Sequence, residues 1–136
     1  MKKKLAIIVS VMLVACIACL AACVDPSLKE VEGTYELASV SGGASVGVTK
    51  DAYEYFRIIL DGKGNGTVQS KGKANGVEYE AKGKYTYADG KIKLTTTNGF
   101  AKATETYDYA DGVITYVFTV QNATITLVFN RVDNNQ

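Results

Sequence analysis

Histidine and tryptophan are absent from the 136 residues, and cysteine occurs only at positions 16, 19 and 23. Without histidine, the chain lacks the side chain that most often acts as a general base or binds a metal. No second carboxylate is expected beside the one acidic residue, Glu105, that falls on an inner strand face. These absences weigh against most enzyme classes, so we expect no enzymatic activity, no metal and no other cofactor.

The N-terminal segment has the composition of a secretory signal peptide. Three lysines precede an apolar run over 5–22, an order that is typical of such a signal. The run ends in Leu20-Ala21-Ala22-Cys23, which resembles the lipobox of bacterial lipoproteins, in which the cysteine receives diacylglycerol. The resemblance implies a lipoprotein signal peptide over 1–22, a lipidated Cys23 and a domain held at the cell membrane on its extracytoplasmic side.

Two alternatives stay open for this segment. The 18 residues of 5–22 could just span a bilayer as an uncleaved anchor. Leu13-Val14-Ala15-Cys16 is a second match to the lipobox, although cleavage there would leave the apolar residues 17–22 exposed. We expect cleavage before Cys23, because an anchor has no need for a lipobox where it ends.

Cleavage before Cys23 changes the net charge and the cysteine count of the remaining chain. Three of the 15 basic residues would leave with the signal, so 12 basic and 14 acidic residues would remain, a net charge of −2. This charge favours neither nucleic acid nor anionic lipid as a partner. Cys16 and Cys19 would also leave and Cys23 would be acylated, which excludes a disulfide, a thiolate nucleophile and a zinc site. We expect residues 23–31 to form an acylated tether and 32–136 to form one domain.

From residue 32 onward, apolar and polar residues alternate with a period of two, which predicts strands. Dipeptides typical of two-residue hairpin loops separate the runs at 75–76, 89–90, 98–99 and 111–112. These loops would pair Tyr87 with Ile92 and Tyr109 with Ile114, and would place Glu105 opposite Ile92. Each loop puts apolar residues opposite one another on a common face, with Glu105 as the exception.

The predicted strands cover 34–40, 53–61, 66–73, 77–87, 91–97, 103–109, 113–120 and 124–132. Eight strands with short connections predict an all-β fold, an eight-stranded antiparallel up-and-down barrel, because closure removes exposed edges. A β-sandwich is the alternative. A barrel of this size is either packed solid or holds one small ligand.

The first strand opens with Gly33-Thr34-Tyr35, which resembles the Gly-x-Trp opening of lipocalins and other calycins, with tyrosine in place of tryptophan. In that family an arginine near the end of the barrel packs over the tryptophan and helps to close the base. The resemblance implies that Tyr35 and Arg131 close the base of a lipocalin-like barrel through a cation–π contact. The layout is also similar to that of small lipocalin-like lipoproteins of bacteria.

The inner face of this barrel would be rich in aromatic residues, which favours a pocket for an apolar ligand. The candidate ligand-binding residues are Phe56, Tyr79, Glu105, Tyr116 and Phe118. In a solid barrel, the same aromatic rings would fill the core instead. Glu105 would then pair with a tyrosine hydroxyl or with Arg131, because a buried carboxylate needs a partner.

These observations predict a membrane-anchored lipoprotein of the cell envelope whose barrel binds a small apolar or amphipathic ligand. The loop over 41–52 is the longest connection and a candidate lid, with a single helical turn capped by Thr49. The alternative is a structural or protein-interaction module with a solid core. For that alternative, we expect Val46, Val48 and Phe100 to form an exposed apolar patch that contacts an envelope protein.

Overall fold

The computed structural model describes residues 25–133, which form a barrel closed by eight antiparallel strands in sequential order. The predicted all-β up-and-down barrel is therefore confirmed, and the sandwich is excluded. The predicted signal peptide 1–22 and Cys23 lie outside the described residues. The strands are β1 (Gly33–Ser41), β2 (Tyr53–Leu60), β3 (Asn65–Gly72), β4 (Glu78–Ala88), β5 (Lys91–Asn98), β6 (Ala101–Ala110), β7 (Val113–Val120) and β8 (Ala123–Val132).

Three short 3-10 helices accompany the barrel, at Pro26–Lys29, Ala44–Val46 and Lys50–Ala52. The last of these is the helical turn that the sequence predicts after Thr49, although the Thr49 side chain makes no capping hydrogen bond. No helix within residues 25–133 has both the length and the apolar character that a membrane crossing requires.

The two Asp-Gly hairpins have the predicted register. Asp89 and Asp111 adopt φ of 53° and 48°, and the glycines that follow them adopt 71° and 80°. Positive φ at both central positions defines the type I′ turn, whose twist matches that of the strands. Tyr87 consequently pairs with Ile92, and Tyr109 pairs with Ile114.

The predicted loop at 98–99 is wrong by one position. Asn98 pairs with Ala101, so the loop is Gly99-Phe100 and Glu105 lies opposite Leu94 instead of Ile92. Only Gly99 has positive φ, at 63°. A glycine with positive φ at the first central position is typical of a type II′ turn, which fixes this register.

The predicted loop at 75–76 is also too short. Tyr79 pairs with Ser70 instead of Gly72, and the Oδ1 of Asn75 accepts a hydrogen bond of 3.0 Å from the backbone N–H of Val77. This local bond favours a longer loop. Both errors shift the pairing by two residues, so every side chain stays on its predicted face.

Backbone pairing lapses at two places, both in the half of the barrel that contains the 41–52 loop, which we call the mouth. β1 and β2 pair only from Gly33↔Leu60 to Glu36↔Arg57. β6 and β7 pair only from Asp108↔Thr115 to Ala110↔Val113. We call these two gaps the β1–β2 seam and the β6–β7 seam. Along these seams, in the mouth half, the barrel wall is divided into a sheet of β2 to β6 and a sheet of β7, β8 and β1.

The opposite end, the base, is filled and covered. The 3-10 helix Pro26–Lys29 contacts β4 there, the hydroxyl of Tyr85 donates to the carbonyl of Leu28 at 3.4 Å, and Leu28 and Val31 are buried in the core. Within the predicted acylated tether 23–31, the chain packs against the barrel from Leu28 onward. The other members of this core cluster are Tyr35, Ile58, Leu60, Tyr85, Ile92, Leu94, Tyr107, Tyr109, Ile114, Ile125, Leu127 and Phe129.

The structure brings Tyr35 and Arg131 together at the base. One guanidinium nitrogen, Nη2 of Arg131, donates to the hydroxyls of Tyr35 at 2.7 Å and Tyr109 at 3.0 Å. The same nitrogen donates to the carbonyl oxygen of Glu30 at 2.7 Å. The guanidinium carbon lies 5.3 Å from the ring centroid of Tyr35, within the range of a cation–π contact. The hydroxyl of Tyr35 donates in turn to the carbonyl of Val31 at 2.6 Å.

Leu28→Ala should lower the free energy of unfolding by about 2–3 kcal/mol, because it leaves a cavity beneath the helix at the base. Urea unfolding followed by circular dichroism measures this change. Lys29→Ala, at an exposed neighbouring position, is the matched control and should change stability by less than about 0.5 kcal/mol. Equal stability of the Leu28 variant and the wild type would show that the segment does not pack as described.

Candidate ligand-binding cup

The inner face of the barrel is accessible to solvent near the mouth, on strands β4 to β7. Ala101 and Ala103 of β6 are exposed, whereas Tyr107 and Tyr109 further along the same face are buried. The small residues therefore leave space above a layer of large ones. We define the mouth cup as the inner-face residues that border this space: Tyr79, Ala101, Ala103, Glu105, Tyr116 and Phe118.

A side-chain hydrogen bond crosses the β6–β7 seam inside the cup. The hydroxyl of Tyr116 donates to Oε2 of Glu105 at 2.6 Å, where the two strands no longer pair through their backbones. Glu105 thus has a tyrosine hydroxyl as its partner, one of the two partners expected from the sequence. Arg131 is not that partner, because it is bound to phenols at the base.

Aromatic rings form the floor and one wall of the cup. The rings of Tyr107 and Tyr116 have centroids 5.0 Å apart, and Tyr107 is only 6% exposed. Phe118 stacks on Tyr116 at 5.1 Å with an interplanar angle of 21°. The cup therefore presents an apolar surface with one carboxylate set into it.

Both phenols beside Glu105 are held in their neutral form. Burial, followed by the nearby charge of Glu105, raises the pKa of Tyr107 to about 12. The pKa of Tyr116 is also raised, by burial first and then by its hydrogen bond to Glu105. At neutral pH these hydroxyls are hydrogen-bond donors and carry no charge.

Phe56 lies at the other seam. Its ring packs on Phe129 and on Tyr53, at 5.2 Å in each case. It borders a cleft of about 250 Å³ between β1 and β2 that Leu37 and Lys50 also line. Of the five predicted ligand-binding residues, Glu105 and Phe118 each contact Tyr116, and Phe56 belongs to this separate cleft.

Tyr79 stands on the inner face of β4 toward the mouth and is 43% exposed. Ala101, Ala103 and Tyr107 are not among the site residues predicted from the sequence. A signal for them exists in β6, where alternate positions change from alanine to tyrosine along the strand. Along the inner face of β6, this change coincides with the step from exposed to buried side chains.

The expected apolar patch at the mouth is only partly present. Val46 and Val48 pack against the core cluster, so the prediction that they are exposed is wrong. The 41–52 loop folds inward and buries part of their surface. Phe100 is fully exposed at the tip of the β5–β6 hairpin, and Val77, in the loop just before β4, is 62% exposed.

Among residues 25–133, no group of three or more histidine, cysteine or acidic side chains is arranged to hold a metal ion. The cup residues instead offer aromatic faces, two methyl groups and a carboxylate. That set is suited to contact with an apolar molecule that carries one polar group.

No protein-family model matches the sequence, and no curated protein matches it. Among solved structures, wild-type fluorescent protein UnaG is similar over 77% of this chain and 99% of its own, at 14% identity and a TM-score of 0.46. The REP1-NXSQ fatty acid transporter covers 77% and 98%, at 14% identity and a TM-score of 0.44. Fatty-acid-binding protein 1 of Echinococcus granulosus covers 75% and 97%, at 12% identity and a TM-score of 0.44. Sequence identities of 12–14% and TM-scores below 0.5 do not assign a function to this chain.

Tyr107→Phe should weaken the dependence of stability on alkaline pH. An unfolded tyrosine ionises near pH 10.0, but folded Tyr107 ionises near 12. The unfolded chain therefore loses this proton first, and the free energy of unfolding falls as pH rises between these values. The loss from one such group is at most about 1.4 kcal/mol per pH unit, and the variant should lack it. Urea unfolding at several pH values measures both slopes, and identical slopes would contradict the assignment.

Proposed function

We propose that this protein is a membrane-anchored lipoprotein of the cell envelope whose barrel binds a small apolar or amphipathic ligand in the mouth cup. The observation that carries the proposal is the accessible inner face above the buried Tyr107. An apolar surface inside a barrel gains free energy when a ligand removes it from water, about 25 cal/mol for each Å² that is buried. The stacked rings of Tyr116 and Phe118 supply the flattest part of that surface.

The β6–β7 seam gives the ligand a way in. The backbone pairing of β6 with β7 ends at Asp108↔Thr115. Along the β6–β7 seam, from there toward the mouth, the two strands can therefore separate without breaking backbone hydrogen bonds. Two side-chain contacts join the strands there, the hydrogen bond between Glu105 and Tyr116 and the contact between the rings of Tyr107 and Tyr116. Opening this seam therefore costs much less than opening a continuous ladder of backbone bonds.

The proposed anchor rests on the lipobox-like sequence that ends at Cys23. Leu28, five positions after Cys23, is already packed in the core cluster at the base. A lipid on Cys23 would hold the base at the membrane surface. The mouth cup, at the opposite end, would then face away from the bilayer on the extracytoplasmic side.

The second candidate function is a protein-interaction module of the envelope. The observation that favours it is the full exposure of Phe100, with Val77 also exposed on the mouth rim. A phenylalanine at a hairpin tip contributes nothing to the core and is available to a partner protein. Phe100→Ser would abolish such an interaction and leave ligand binding in the cup unchanged.

Ala103→Trp should abolish ligand binding, because an indole at this inner position fills the cup. The assay uses the full chain in phosphatidylcholine nanodiscs and a photoreactive alkanol, with the labelled residues mapped by mass spectrometry. We expect labelling of β6 and β7 on the cup side in the wild type, and at least a tenfold loss in the variant, corresponding to about 1.4 kcal/mol. Lys102→Trp, at the adjacent exposed position on the outer face, is the matched control. Equal labelling of both variants would place binding elsewhere.

Cys23→Ser should abolish lipid attachment in a bacterial host, because serine lacks the thiol that accepts diacylglycerol. The intact mass of the purified protein reports both cleavage and acylation. Cys16→Ser is the control, and it should leave lipidation intact if cleavage occurs before Cys23. Loss of the lipid in the Cys16 variant alone would move the cleavage site to the earlier lipobox.

A further inference from the structure

The mouth cup carries a single charge. Glu105 is its one ionisable carboxylate, and the other members are two alanines, a phenylalanine and two tyrosines. The phenols of Tyr107 and Tyr116 stay neutral because their pKa values are raised. Any ligand in the cup therefore meets an unbalanced negative charge.

The carboxylate of Glu105 has acceptor sites to spare. A carboxylate can accept about four hydrogen bonds, and within residues 25–133 the hydroxyl of Tyr116 is the one protein donor that reaches it. Glu105 is half-buried and lies opposite the buried Leu94. A partly desolvated carboxylate with free acceptor sites is stabilised by a further donor, and most strongly by a charged one.

No cation of the described strands shares the inner face near the mouth. The lysines of β4 to β6 alternate with the inward residues and lie on the outer face, where Lys82 binds Glu80 at 3.4 Å and Lys91 binds Asp108. Arg131, the inward-facing cation, is held at the base by Tyr35 and Tyr109.

The lysines of the mouth loops are placed apart from Glu105. Lys50 lines the cleft at the β1–β2 seam, and Lys73 is exposed on the β3–β4 loop. Neither makes an ion pair with Glu105 within the described part of the chain, in which Lys71–Glu54, Lys82–Glu80 and Lys91–Asp108 are the pairs formed.

We propose that the mouth cup selects amphipathic ligands whose polar end is a primary ammonium group, which Glu105 binds, and that it rejects ligands ending in a carboxylate. This inference rests on the proposed ligand-binding function and adds the charge of the ligand to it. The ammonium would donate to the carboxylate beside Tyr116, and the alkyl portion would lie on Tyr116 and Phe118. A carboxylate in the same place would face Glu105 with no cation to offset the repulsion.

The test compares three photoreactive probes of equal chain length, an alkylamine, an alkanol and an alkanoate. Each probe labels the full chain in phosphatidylcholine nanodiscs, and mass spectrometry quantifies labelling of the cup. The isosteric variant Glu105→Gln keeps an acceptor for Tyr116 and removes the charge. Comparing each probe between wild type and variant cancels its own partitioning into lipid.

We expect Glu105→Gln to lower labelling by the amine about tenfold, a loss typical of a charge-assisted hydrogen bond, and to raise labelling by the alkanoate. Glu78→Gln, at an exposed position outside the cup, should change neither. Ala103→Lys places a cation two residues from Glu105 on the same face. It should shift the preference toward the alkanoate, and this outcome does not depend on how the Glu105 variant folds.

Three outcomes would overturn the inference. Labelling of the cup by amine and alkanoate that is unchanged in Glu105→Gln removes the charge selection and leaves the proposed ligand binding intact. A fall in alkanoate labelling in Glu105→Gln, with amine labelling unchanged or raised, reverses the assignment. Failure of all three probes, including the neutral alkanol, to label the cup overturns the proposed function together with the inference.

Discussion

The rest of the structure depends on the position of one guanidinium group. Arg131 of the last strand binds the phenols of Tyr35 and Tyr109 and the carbonyl of Glu30. It therefore joins β8, β1, β6 and the segment that precedes the barrel at a single point. Burial raises the pKa of Tyr35 to about 12, even though the hydrogen bond from Arg131 and its charge act in the opposite direction. The neutral hydroxyl can consequently donate to Val31 while it accepts from Arg131.

The barrel is filled with side chains at the base and is accessible to solvent toward the mouth. Large side chains and the helix over the base fill that end, and both lapses in backbone pairing occur at the other. Above the filled layer, Ala101 and Ala103 are too small to reach across the barrel. The bond between Glu105 and Tyr116 replaces the missing ladder at one seam, so the same residues that hold the wall together also line the accessible space.

The sequence predicts the strands, their faces and two of the hairpin registers, because period-two alternation and type I′ turns are local properties. Gly99 shows the limit: the dipeptide that contains it suits more than one turn type, and the choice shifts Glu105 from Ile92 to Leu94. The burial of Leu28 could not be predicted, because its neighbours are polar and its contacts are distant in sequence. The separation of Phe56 from the other candidates likewise depends on where the pairing of β1 with β2 stops, and no local sequence pattern shows this.

The position of the cup constrains what it can receive. If Cys23 carries the proposed lipid, only four residues separate it from Leu28, which is buried at the base, so the base would lie at the membrane and the mouth would point into the aqueous phase. A ligand would then reach the cup from water, where a purely apolar molecule is scarce and an amphiphile is soluble. A partly buried carboxylate needs hydrogen-bond donors, and within residues 25–133 Tyr116 is the one protein donor to Glu105. A ligand that brings both an alkyl chain and a cationic donor would add a second donor. The orientation of the barrel and the charge of the cup therefore favour the same class of molecule.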